Sequence, residues 1–142
     1  MVDTEHIQLA HGGGGQLTLE LLADVILPAV GGQSAAALTD AAVLSGADGR
    51  LAFATDSYVV KPLEFPGGDI GKLAVFGTVN DLAVTGAVPK ALSLSLVLEE
   101  GLEISLLRRV LDSAGAAAGQ VGVEIVTGDT KAVERGACDG MI

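Results

Sequence analysis

The chain has 142 residues, 8 basic against 18 acidic, and a formal net charge of -10. That length holds one ordinary domain, and 49% hydrophobic against 18% charged residues argues against an intrinsically disordered chain. The acidic balance and only four aromatics (Phe53, Tyr58, Phe65, Phe76) leave neither the basic surface nor the stacking platform that nucleic-acid binding uses.

The most apolar stretches stop short of a membrane span. Leu73–Val88 contains Asn80 and Asp81, and Ala91–Leu98 has strand length, whereas a spanning helix needs about 20 apolar residues. Asp3, Glu5 and His6 stand where a signal peptide carries basic charge, so the expected compartment is the cytoplasm. One cysteine, Cys138, excludes an internal disulfide and a multi-cysteine metal site. His6 and His11 lie outside any HExxH spacing and are expected to be solvated. The abundant hard oxygen ligands suit Mg²⁺ better than a transition metal.

In chain order, a glycine run at Gly12–Gly15 precedes a helical pattern of Leu17, Leu21, Val25 and Ala29, with Pro28 near its end. Asp40–Leu44 reads as a strand, Gly46–Gly49 as a turn and Leu51–Val60 as a second strand, together a β-hairpin. Pro62, Pro66, Gly67 and Gly68 mark a loop. Asp69 is placed to cap a helix running to about Thr85. That helix is apolar nearly all round, which predicts burial, and Gly86 and Pro89 end it. Lys90–Glu99 is a strand with Leu92, Leu94, Leu96 and Leu98 on one face and Ser93 and Ser95 on the other. Glu103–Val121 is an amphipathic helix whose core stripe is Leu107, Val110, Leu111, Ala114, Ala117, Ala118 and Val121. Gly122 stops it, Val123–Thr127 returns as a buried strand, and Cys138–Ile142 reads as one more. The order ββαβαβ after the first helix predicts an α+β layer with helices on one face of a mixed sheet.

Four carboxylates stand on elements predicted to be apolar: Asp40 opening the first strand, Asp56 within the second, Asp81 beside Asn80 in the buried helix, and Asp129 after the Val123–Thr127 strand. An ionised carboxylate taken from water without a partner is costly. Any one of them alone is read as a turn cap or a backbone hydrogen bond. The four together, against eight basic residues, predict a shared Mg²⁺, which usually arrives with phosphate oxygens.

Gly12–Gly15 before a helix can present amides to a phosphate, although a glycine run by itself is a weak signal. Gly67-Gly68-Asp69-Ile70-Gly71-Lys72-Leu73 approaches a P-loop but is one residue short and has Leu73 where Ser or Thr is required. Lys131 is equally well read as a phosphate contact and as a solvated lysine. Cys138, with no histidine near it in sequence, is expected to be an inert thiol.

These residues also carry a resemblance. Ala10–Gly15, Ala54–Val60, Phe65–Val75, Gly77–Ala83, Leu98–Gly101 and Val126–Lys131 resemble, in the same order, the HypE family of hydrogenase maturation factors. The Asp-Ser and Asn-Asp elements are shared more widely with aminoimidazole ribonucleotide synthetase, selenophosphate synthetase and thiamine monophosphate kinase; Phe65–Lys72 singles out HypE. The resemblance implies a PurM-like N-terminal domain whose sheet pairs with that of a second subunit in a homodimer. Residues 1–36 would form a glycine-rich segment and helix, and residues 37–142 the ATP-binding domain. It implies that Asp40, Asp56, Asp81 and Asp129 serve Mg²⁺, and that Asp56, Asn80, Asp81, Asp129, Thr130 and Lys131 serve ATP. Gly12, Gly13, Gly14 and Gly15 would close over the nucleotide, and Lys131 would have a supporting catalytic role.

The family's implied activity is ATP-dependent dehydration of an S-carbamoyl group, on a C-terminal cysteine, to a thiocyanate. The cyanide goes to the iron of [NiFe]-hydrogenase. The implied partners are the carbamoyltransferase HypF and the HypC–HypD iron scaffold. Family members are more than twice as long and end in that cysteine, which Cys138 does not match. The chain is therefore expected to be an isolated, truncated N-terminal domain unable to complete the reaction alone. Two other readings remain: a non-catalytic dimerisation or docking module, and another ATP-dependent amide-activating relative.

Overall fold

A parallel strand pair and the helix that connects its strands form the centre of the molecule. The computed structural model describes residues 5–31, 41–42, 44–46, 49–138 and 140. Strand β3 (Ala91–Glu99) pairs in parallel with β4 (Glu124–Val133), and α4 (Ile104–Val121) crosses between them. The α4 stripe read from the 3.6-residue period is buried except at its end: Leu107, Val110, Leu111, Ala114, Ala117 and Ala118 are all at or below 3% exposure, while Val121 is only partly buried. Gly122 adopts φ 70° and ends the helix in the left-handed conformation that glycine accepts most readily. On β3 the alternation also holds, with Leu92, Leu96 and Leu98 buried and Ser93 and Ser95 exposed.

The first helical pattern is realised in three joined pieces: α1 (Gln16–Leu21), a π-helical turn at Leu22–Ile26, and α2 (Leu27–Val30) with Pro28 in its first turn. Leu21, Val25 and Ile26 enter one core with Ile7, Leu98, Leu107 and Leu111. The Arg108 guanidinium donates to the Asp24 carbonyl at 3.0 Å, fastening the π turn to α4.

Helix α3 (Ile70–Val84) starts where expected, with Asp69 Oδ1 accepting the Lys72 N–H at 2.9 Å. Its Gly71 lies so close to the Val110 carbonyl of α4 that a Cβ would collide with it. The expected full burial is corrected. Only Ile70, Gly71, Val75 and Val79 are buried, while Val84 is 85% exposed. An all-apolar helix buries only as much surface as its neighbours cover, and the described residues supply cover along one stripe.

The element order after the first helix is again ββαβαβ, but its first two strands are not those predicted. They are β1 (Glu64–Phe65) and β2 (Gly68–Asp69), a short antiparallel pair around Pro66-Gly67, with Gly67 at φ 94°. Pro followed by a positive-φ glycine is a tight-turn signature, and it lay inside the predicted loop. The two pairs form separate sheets rather than one.

Asp40 and Val43, in the first predicted strand, lie outside the described residues. Ala41, Ala42, Leu44 and residues 51–60 belong to no ladder, so the predicted hairpin is absent among the described residues. Leu51, Phe53 and Val59 are 81%, 93% and 80% exposed, because no described strand or opposing layer stands against them.

Strand β4 is longer than expected and runs through Gly128–Lys131, because pairing with β3 continues to Glu99 and Val133. Cys138 and Gly140 do not form a strand, and residues 139, 141 and 142 lie outside the described residues. The Glu99 carboxylate gathers this end instead, accepting N–H groups of Gly136 (2.6 Å), Gly140 (2.8 Å) and Cys138 (3.4 Å). Those amides, Gly136 first, hold its carboxyl below the usual glutamate range. Among the described residues no helix is long and apolar enough to cross a membrane.

Candidate functional site

The glycine run is rooted on β4. A 3-10 turn (Leu9–Gly12) carries His11 and ends at Gly12, whose missing side chain leaves room for the Ala132 backbone. Gly14 takes φ 77° and its N–H donates to Thr18 Oγ1 at 2.9 Å, so the run is tied to α1 beyond it. Gly12 therefore sits against Ala132, the residue that follows Lys131 on β4.

His11 corrects an expectation: it is fully buried rather than solvated. Its Nδ1 accepts the Gln8 N–H at 2.9 Å, while its own N–H donates to the Gln8 carbonyl at 3.0 Å. Its Nε2 is buried without a partner. His6 is exposed, as expected, and bridges to Glu103. The signal for His11 was its place between an apolar Leu9-Ala10 pair and the glycines, and no periodicity marks that position as buried.

On β4, Asp129 and Lys131 are two residues apart, hence on one face, and form an ion pair. Asp129 Oδ1 also accepts the Thr130 N–H at 2.9 Å. The Lys131 ammonium, more than that amide, holds the Asp129 carboxyl below its ordinary value. Both side chains are exposed, so the pair adds little to stability. Its consequence is chemical: a cation and a carboxylate are held side by side next to the glycine run.

A second group stands where residues 55–58 meet α3. Tyr58 Oη donates to Asp56 Oδ2 at 2.9 Å and lies 3.5 Å from Thr78 Oγ1. Asn80 and Asp81 follow on the same helix and are exposed. Partial burial raises the Tyr58 phenol above its ordinary value; Thr78 opposes this, and the Asp56 and Asp81 charges add to it. Of the two carboxylates, Asp56 touches the hydroxyl directly. A cavity of about 250 Å³ adjoins the group, bounded by residues 55–58, α3, β3 and α4, with Asp56, Tyr58, Thr78, Ser93 and Ser95 among its polar lining.

The expectation that the carboxylates are withdrawn from water is corrected: Asp56, Asp81 and Asp129 are all exposed. Among the described residues no group of three or more His, Cys, Asp or Glu is placed to hold a metal ion, and Asp40 lies outside them. A ready-made carboxylate cage is therefore not present among the described residues. The donors are nevertheless all oxygen, and Mg²⁺ typically takes one or two carboxylates with phosphate oxygens and water. Oxygen donors of this kind are chemically compatible with magnesium.

A parallel βαβ unit flanked by a glycine run and exposed carboxylates makes this an α+β domain. Residues 38–141 match the family of AIR synthase related proteins, N-terminal domain, and the chain belongs to that family. Within it the chain is similar to carbamoyl dehydratase HypE of Rhodobacter capsulatus, 56% identical over 140 residues covering 96% of this chain and 41% of the relative. It is also similar to a crystal structure of the hydrogenase maturation protein HypE in complex with ATP. That match has a TM-score of 0.85 and 51% identity over 94% of this chain and 39% of the other. A HypE–HypF complex structure matches with TM-score 0.60 and 52% identity, over 61% of this chain and 28% of the other. The chain thus spans about two fifths of the length of the curated relatives it matches.

Proposed function

We propose that this chain is the ATP-binding N-terminal part of a HypE-like carbamoyl dehydratase acting in the cytoplasm. The observation that carries the reading is the similarity, over nearly the whole chain, to a relative whose structure holds ATP. Residues 37–142 are read as the nucleotide-binding domain and residues 1–36 as the glycine-rich segment and helix that complete it. Gly12–Gly15 would offer backbone amides to the phosphates, with Thr130 and Lys131 beside them on β4. Asp56, Asn80 and Asp81 would face the nucleotide from the Tyr58 side. Asp40, Asp56, Asp81 and Asp129 are the oxygen donors available to Mg²⁺, which when bound neutralises phosphate charge.

An amide oxygen is a poor leaving group, and its phosphorylation makes elimination to the nitrile feasible. The contribution of these residues is to position the phosphates and balance their charge. Lys131, already paired with Asp129, would shift toward the transferred phosphoryl group. The carbamoyl-bearing cysteine belongs to the remaining part of the longer relatives, with HypF supplying the carbamoyl group and the HypC–HypD scaffold receiving cyanide.

A homodimer is part of the same reading. The bare apolar side chains Leu51, Phe53, Val59 and Val84 favour it, and they equally favour a second reading, a docking module without nucleotide chemistry. Thermal shift separates the two. MgATP at 100 times its Kd stabilises a binder by about 2.7 kcal/mol, and Asp81→Asn is expected to abolish that shift. No shift with wild-type protein would leave the docking module.

A further inference from the structure

We propose that Tyr58 is a positioning residue for Asp56, a role that rests on the nucleotide-binding reading. Among the described residues Asp56 lies in a segment without ladder hydrogen bonds, and the contact that orients its carboxylate is with a side chain. Tyr58, two residues on, is half-buried and donates to Asp56 Oδ2 at 2.9 Å.

The proton assignment follows from the neighbours. A carboxylate oxygen only accepts, and Asp56 Oδ2 at 2.9 Å is nearer than Thr78 Oγ1 at 3.5 Å, so the phenolic proton lies toward Asp56, while Thr78 gives its own proton to the Ala74 carbonyl at 2.9 Å. The phenol is itself seated against α3: at Gly77 any Cβ would strike the Tyr58 hydroxyl. Gly77 stands one turn before Asp81, so the Tyr58 ring ties the Asp56 segment to the helix that carries Asn80 and Asp81. The hydrogen bond occupies one Asp56 oxygen and leaves Oδ1 to meet a cation on the nucleotide. Partners that orient a metal-binding carboxylate in this way typically change metal affinity by roughly 10–100-fold when removed.

The chain has one tyrosine and no tryptophan, so its near-ultraviolet emission reports Tyr58 alone. Calorimetric titration of ATP at a series of Mg²⁺ concentrations gives the half-saturating Mg²⁺ for each variant. Tyr58→Phe is expected to raise it roughly tenfold while ATP affinity at saturating Mg²⁺ is kept. Gly77→Ala, which displaces the hydroxyl without deleting it, should do the same and decides the matter if Tyr58→Phe does not fold. MgATP should change tyrosine emission in wild-type protein but not in Asp56→Asn. Unaltered Mg²⁺ dependence in both variants, with binding lost in Asp56→Asn, would overturn the role of Tyr58 and leave the nucleotide site standing. Wild-type protein that binds no MgATP, or Asp56→Asn that binds it equally well, would remove the nucleotide reading and this inference with it.

Discussion

Helices α3 and α4 pack against each other, yet their sequences and their surroundings agree to different degrees. In α4 the apolar residues form one stripe, and that stripe is buried down to Leu107 at 0% exposure. In α3 apolar residues occupy nearly every face, but the chain covers only the Ile70, Gly71, Val75 and Val79 side. An amphipathic pattern states how much of a helix its own chain will bury, whereas an all-apolar one demands more cover than one chain has to provide. The surplus on α3 matches that on residues 51–60, where Phe53 stands 93% exposed. Both surpluses are apolar surface left open among the described residues.

Substitutions that treat the two helices alike should separate them. Leu107→Ala in α4 is expected to cost about 2–5 kcal/mol, read as a lower urea midpoint at unchanged slope. Gly71→Ala, which drives a methyl into the Val110 carbonyl of α4, should cost about 1–3 kcal/mol by the same measurement. Asp69→Ala removes the α3 cap and should cost about 1 kcal/mol. Val84→Ser, on the open side of α3, should change monomer stability by no more than about 0.5 kcal/mol. The same substitution should weaken self-association in sedimentation equilibrium. A large monomer effect at Val84 would mean that the face is covered within one chain, and the comparison would fail.

The smallest global effect is expected at Glu99, at the far end of β3. Its folded pKa is lowered, so the stabilisation it brings is fully present above the ordinary glutamate range. That stabilisation is lost as pH falls through the depressed folded value. Amide chemical shifts of Gly136 and Gly140 should move together over that acidic window, and Glu99→Gln should abolish the step.

Much of this fold was legible in residue order. The Asp69 cap, the α4 stripe, the Gly122 stop and the alternation of β3 each depend on neighbours within a turn or two of the chain. The failures share a different cause. Leu51–Val60 has the composition of a strand, but a strand exists only when another pairs with it. Asp129 was expected after a strand and lies within one, since the length of β4 is set by the register with β3. The candidate site was legible as residue types and motifs, in Gly12–Gly15, Asn80-Asp81 and Gly128–Lys131. Which of these meet was not.

Local sequence, then, determined helices α3 and α4, their ends and the order of the elements, because those follow from periodicity and from backbone preferences of single residues. Only the tertiary structure decided that His11 is buried, that Gly12 rests on Ala132, that the Tyr58 hydroxyl seats over Gly77, and that Asp56, Asp81 and Asp129 lie open to water. Each of these depends on which surfaces distant segments present to one another, and no periodicity within one segment encodes that.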